Sequence, residues 1–330
     1  MPSPCHLTNK AGLARSGLLA ALLCATLLGL LPAQGQAAMF KIRMACLQND
    51  LHHLGLWIAL EKGFFSQQGL EVEVTGAFQS GPELMTVFAS GGLDAAYVGE
   101  APASIAAIRG RPRVRVLAQA NTEGSALIGS KNFRANSTGK LTLAIPGNGT
   151  VQDLLLRKAL PLLGLAPEQV TRIVLGPPDM LTALQTGDID AFLAWEPHPS
   201  RALALGVGVM LASSAEIWPE HPCCVLIVEE KFLREHPAEA RALLQAHRQA
   251  THFARTRPDE AVAIAVRWTG MDEAVVRQAL TRVNYTEVPS VAGEREYVDF
   301  LIEAGLIKLD DPAGFVEHFI VHELHARPDK

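Results

Sequence analysis

Glu100 and Glu196 lie 96 residues apart, and each closes a short apolar segment. Two carboxylates at equivalent points of two similar segments could hold a small molecule between them. Each glutamate ends the strand of a block that occurs twice without a gap, Gly81 to Ala103 and Pro177 to Pro199, with Pro82/Pro178, Thr86/Thr182, Gly91/Gly187, Asp94/Asp190 and Ala95/Ala191 identical. Each copy reads as a short helix entered at a proline and stopped near a glycine, followed by an apolar strand. Open α/β sheets bind ligands at the carboxyl ends of their strands, so two such units facing one another would bring both glutamates to a shared cleft.

Other polar residues fall at the same edge. Gly147-Asn148-Gly149-Thr150 joins a strand to a helix, and a glycine turn at a helix N-terminus can cradle a phosphate or carboxylate; the other reading is a plain turn capped by Thr150. Gln48, Asn49, His52 and His53 occupy the corresponding turn of the first half, where they could orient a ligand or simply meet solvent. Ser80-Gly81 could offer a hydroxyl and free amides, or only a helix cap. Trp195, directly before Glu196, is a candidate cleft wall. His318, His322 and His325 have helical spacing near the C-terminus and read as an exposed helix face rather than a metal site. There is no Gly-x-Ser-x-Gly elbow and no His-Glu-x-x-His, so neither catalytic residues nor a cofactor or metal are assigned.

The elements that must position these residues repeat as well. Upstream of the first copy are a strand (41–47), a turn, an amphipathic helix (54–65) and a strand (71–75); upstream of the second are a strand (141–145), a turn, a helix (150–163) and a strand (170–175). Both halves read β-α-β-α-β, which predicts right-handed crossovers and mostly parallel sheets covered by helices.

Lys10 and Arg15 precede an apolar run from Leu18 to Leu31, and Gly35-Gln36-Ala37 supplies small residues for cleavage, so residues 1–37 read as a secretory signal peptide. The formal net charge of the whole chain is -5, and the leader takes two positive charges with it. An acidic exported chain is a poor partner for nucleic acid. Cys46, Cys223 and Cys224 remain, an odd number, so at least one thiol is unpaired, metal-bound or intermolecular.

Gly55 to Val74 with its Ala59–Phe65 core, Ser80 to Leu84, the Gly-x-Leu-Asp-Ala strand and Asp190 to Pro197 together resemble the NitT/TauT-type substrate-binding proteins of ABC transporters, of the SsuA/THI5-like group. The resemblance covers nearly all of the chain after the leader. It implies an α/β, type II periplasmic binding protein fold: two lobes joined by two crossing segments, with a ligand cleft between them. On that pattern 38–122 is the first part of lobe 1, 123–225 is lobe 2, and 226–330 returns to lobe 1 as C-terminal helices. The crossings would lie near 118–126, where Asn121 is a further candidate ligand-binding residue, and near 222–228. The implied function is capture of a small molecule by a monomeric periplasmic protein that delivers it to an ABC permease.

A disulfide from Cys46 to Cys223 or Cys224 would join the first strand to the return crossing; three buried free thiols is the alternative. Relatives of the resemblance include enzymes, a pyrimidine synthase with an iron-binding cysteine-rich segment and cleft dehydratases, and His221-Pro222-Cys223-Cys224 partly echoes the former. Two carboxylates facing one small cleft would repel an anion by about 3 kcal/mol at 6 Å separation, which favours a cationic, amine-bearing or neutral heterocyclic ligand.

Overall fold

The computed structural model describes residues 38–135 and 139–325, so the expected signal peptide lies outside the described residues. The strands are β1 (Phe40–Leu47), β2 (Leu70–Phe78), β3 (Ala95–Gly99), β4 (Val114–Glu123), β5 (Ser125–Ser130), β6 (Leu141–Ile145), β7 (Val170–Val174), β8 (Ala191–Trp195), β9 (Gly208–Ser213), β10 (Pro222–Glu229) and β11 (Val283–Tyr285). They form a six-stranded sheet, β11-β4-β10-β3-β1-β2, and a five-stranded sheet, β7-β6-β8-β5-β9. The central strands β3 and β8 are buried along their whole length, which is why both read as unbroken apolar runs rather than alternating ones.

The repeat is a repeat of structure. In one sheet β2, β1 and β3 run parallel, and in the other β7, β6 and β8 do. Each trio is then flanked by an antiparallel strand that has come from the direction of the other sheet, β10 or β5. The aspartate shared by the two copies does the same work in each. Asp94 Oδ2 accepts from Arg43 N on β1 at 2.8 Å, and Asp190 Oδ2 accepts from Thr142 N on β6 at 2.7 Å. Each aspartate amide returns a bond to the carbonyl of that same residue, so the entry to each central strand is fixed at both groups.

Four features depart from the sequence reading. The sheets are mixed rather than mostly parallel, because β5, β9, β10, β4 and β11 pair antiparallel. The first link between the sheets, Gly124 between β4 and β5, lies inside the expected crossing, but the second is the segment 214–221, because 222–228 belongs to β10. The helix expected over 54–65 breaks at Gly63, whose φ of +68° suits glycine, into Leu54–Glu61 and Phe64–Gln67. The terminal histidines share no helix face: His318 meets Glu230, His322 lies in a separate 3-10 turn, and His325 Nε2 bonds Leu117 O.

The C-terminal helices brace both sheets. Pro237–Thr256 packs on Leu54–Glu61, and its buried His247 links Tyr97 Oη at 2.8 Å to Gln119 O at 2.8 Å. Glu273–Leu280 instead packs on His198–Ala204, the helix that follows β8. No helix among the described residues is long and apolar enough to cross a membrane.

Candidate functional site

The carboxyl ends of β1, β3 and β8 meet the N-terminal ends of the helices Gly81–Ala89 and Val151–Leu162 around a cavity of about 10 Å³. Leu47, Asp50, Gly81, Gly99, Pro102, Thr150, Val151, Gln152, Trp195 and Cys224 line it. Its walls therefore come from both sheets, and in this closed arrangement it has the volume that about one water needs. Gly81 sits where a Cβ would lie 2.6 Å from Pro102 Cγ, so the close approach of these segments requires glycine.

Of the residues expected at the cleft, Gly81, Thr150 and Trp195 line this cavity, and the indole N–H of Trp195 is buried without an acceptor. The glutamates do not line it. Glu196 turns back onto its own chain, where its carboxylate accepts from Ser200 N and from Arg282 Nη1, both at 3.0 Å. Glu100 lies beneath the cavity, accepts from Gln119 Nε2 at 3.0 Å and faces Glu294, which takes a bond from Ser104 Oγ at 2.7 Å. Burial pushes Glu100 up to about 7 and lifts Glu294, with Glu100 beside it, well above the usual carboxylate range. The repulsion expected from two cleft carboxylates is thus absent: one is paired with an arginine and the other shares a buried acid pair.

The glycine turn is also spoken for. Gly149 N donates to Asp153 Oδ2 at 2.9 Å, and Asp153 in turn holds Arg157 and Arg172, so the turn cradles a carboxylate of its own helix. Thr150 Oγ1 donates to Gly147 O and accepts from Asp153 N, and Ser80 Oγ accepts from Glu83 N; both act as caps. Asn148 and Gly149 line a separate groove of about 460 Å³ beside Arg109 and Arg111. Gln48 is exposed and Asn49 turns the chain at φ +52°.

Behind the cavity lies a cluster that the sequence reading had only in pieces. Asp50 caps the turn Leu51–His53 and is fully buried, and its Oδ1 lies 3.3 Å from His52 Nδ1. Cys223 Sγ and Cys224 Sγ each lie 3.5 Å from the same nitrogen. Burial raises Asp50 to about 7; burial also opposes charge on His52, but Asp50 and Cys223 beside it push it up to about 10. Asn121 is buried below them, with Oδ1 accepting from Cys224 N at 3.2 Å. Asp50 was missed as a site residue because an aspartate before an apolar helix reads as an ordinary cap.

No disulfide forms: Cys46, Cys223 and Cys224 are all free thiols. The sheet order explains it. Cys46 on β1 is separated from β10 by β3, and two strand spacings of about 4.8 Å exceed the Cα separation a disulfide tolerates.

Gly124 controls how the cluster meets the link between the sheets. Its φ is +86° and a Cβ there would stand 2.3 Å from His52 Nε2, which donates to Gly124 O at 2.8 Å. Gly124→Ala is expected to cost about 2 kcal/mol or more, from the left-handed backbone and the clash together. Chemical unfolding checks this, and a change below about 0.5 kcal/mol would show that the link relaxes freely.

Comparison with known proteins places this geometry. The family model described as NMT1-like matches residues 41–269. The chain is 26% identical over 222 residues to the nitrate/nitrite binding protein NrtA of Nostoc sp., covering 60% of this chain and 50% of that one. It spans half or less of the length of the first curated relatives it matches. Among solved structures, the periplasmic nitrate-binding protein NrtA of Synechocystis superposes with a TM-score of 0.78 at 19% identity over 87% of each chain. The periplasmic aliphatic sulphonate binding protein SsuA of Escherichia coli gives 0.70 at 18% identity over 83% of this chain and 91% of that one. The fold is the type II fold of such periplasmic binding proteins.

Proposed function

Since the chain belongs to the NMT1-like family, we propose that it is the exported solute-binding component of an ABC importer, and that it acts by binding rather than by catalysis. The observation that carries this reading is the cavity walled by both sheets, with Gly81, Gly99 and Pro102 on one side and Thr150, Gln152 and Trp195 on the other. Residues from both sheets meet a solute together only when the jaws are shut, so the solute stabilises the closed state. The hinge is the pair of links at Gly124 and 214–221, which opens the 10 Å³ space to admit a small molecule. Trp195 contributes an unmatched N–H, which suits a solute bearing a hydrogen-bond acceptor. With Glu196 held by Arg282 and Glu100 withdrawn beneath the cavity, the sequence argument against an anion lapses. Delivery is to a membrane permease, from the periplasm, by a monomer whose lobes follow the two sheets.

The test is native mass spectrometry of protein exported by its own host, followed by X-ray scattering of the stripped protein with and without the recovered molecule. The expected result is one small molecule, returned chemically unchanged, whose addition reduces the radius of gyration; Trp195→Phe should weaken its binding at least about tenfold, the loss of one buried hydrogen bond. Recovery of a converted molecule would favour an enzyme on this fold instead.

A further inference from the structure

We propose that His52 Nδ1, Cys223 Sγ and Cys224 Sγ form a three-donor site for a thiophilic divalent cation of the Zn2+ class, at the junction of the two sheets, with the fourth position open. The inference stands apart from the transport reading. It holds whatever solute the cleft takes.

Adjacent residues of a strand point to opposite faces, so Cys223 and Cys224 should not share a target. They do because β10 departs from regular register against β4 on both sides of Cys224, between Pro222 and Cys224 and between Cys224 and Val225. Asn121 Oδ1 takes the Cys224 amide that this irregularity frees. Bulges of this kind re-aim side chains at sites. Here they turn two sulfurs onto one imidazole nitrogen.

That nitrogen is prepared for a cation. Gly124 O can only accept, so Nε2 keeps its proton and Nδ1 is the nitrogen that offers a lone pair, its own proton leaving as the ion binds. A backbone carbonyl holding the far nitrogen is the usual support of a metal-binding histidine. The spacing agrees: a tetrahedral Zn2+ with bonds of about 2.3 Å to sulfur and about 2.05 Å to nitrogen has N to S edges of about 3.6 Å. The structure has 3.5 Å for both, and the three donor atoms lie within 4.8 Å of one another. All three donor residues are buried, and two thiolates balance a divalent charge, their protons leaving to solvent as the ion binds.

An overlapping set, Asp50, His53 and Cys224, also converges. It fails on the proton. His53 Nδ1 accepts from Leu47 N at 3.0 Å, so its Nε2 carries hydrogen and has no lone pair to give; it faces Asp50 Oδ2 at 3.7 Å without bonding it. Access is from the cleft, because Asp50 and Cys224 line the cavity.

The test uses the exported protein, stripped with a chelator and kept reduced, titrated with Co2+ as a visible probe and then with Zn2+. One equivalent of Co2+ should produce thiolate-to-cobalt charge-transfer bands and tetrahedral ligand-field bands, and Zn2+ should abolish both. Cys223→Ser and Cys224→Ser should each lower the charge-transfer intensity and weaken affinity at least about tenfold, while Cys46→Ser, removing the third buried thiol, should leave the titration unchanged. X-ray absorption of the Zn2+-loaded natural protein needs no variant and should show two sulfur neighbours. A shell of nitrogen and oxygen alone, no charge-transfer band with all three thiols reduced, or dependence on Cys46 would each overturn the proposal.

Discussion

Arg282→Met should destabilise the protein by about 3 kcal/mol, because it leaves the carboxylate of Glu196 buried without its cation. Arg282 is the only side-chain cation paired with Glu196 among the described residues, and its side chain is itself only 20% exposed, so solvent cannot replace it well. The Ser200 amide remains as an acceptor's partner but does not neutralise charge. Glu196→Gln in the same background should restore more than half of the loss, since a neutral amide oxygen can still accept from Ser200 N. Urea unfolding of the two single variants and the double variant measures the coupling directly. An Arg282→Met protein within about 0.5 kcal/mol of the natural one would mean that Glu196 finds water instead.

Glu100→Gln should raise stability at pH 8 by about 3 kcal/mol over the natural protein and change it little at pH 4.5. Burial lifts Glu100 from 4.5 to about 7, so its folded form holds a proton that its unfolded form has lost. A raised pKa contributes stability that is complete below the unfolded value, and this is lost as pH climbs from about 4.5 through about 7; at about 1.4 kcal/mol per unit the difference is about 3 kcal/mol. An amide cannot ionise and escapes that loss, while its oxygen can keep the bond from Gln119 Nε2. Midpoints in urea at the two pH values decide the matter. If the variant is no more stable than the natural protein at pH 8, the acid pair with Glu294 is not protonated as its burial requires.

Much of the architecture was legible because it is written in local patterns. The apolar runs of β3 and β8, the proline-entered helices before them and the glycine stops after those helices depend on residues near one another in the chain. So does the family resemblance, carried by short contiguous motifs that the comparison over residues 41–269 bears out. The mixed pairing was not legible. Strand direction within a sheet depends on where the chain returns after crossing, which no window of sequence contains.

The edge that carries the cavity was legible, but the use of its polar groups was not. The repeat pointed to the edge where β1, β3 and β8 end, and the cavity is there. Yet the repeated glutamates looked equivalent and are not: Arg282, 86 residues beyond Glu196, claims one, and Glu294, far beyond Glu100, faces the other. Ser80, Gly149 and Thr150 likewise looked like ligand donors, and their groups are used within their own turns.

The sequence by itself determined which segments become strands and helices and that the two halves share one plan, because periodicity, caps and breakers act over a few residues. Only the tertiary structure decided which polar groups are free. That depends on partners from distant segments and on one irregular strand, β10, whose broken register turns Cys223 and Cys224 toward His52, some 170 residues earlier, where alternation alone would have parted them.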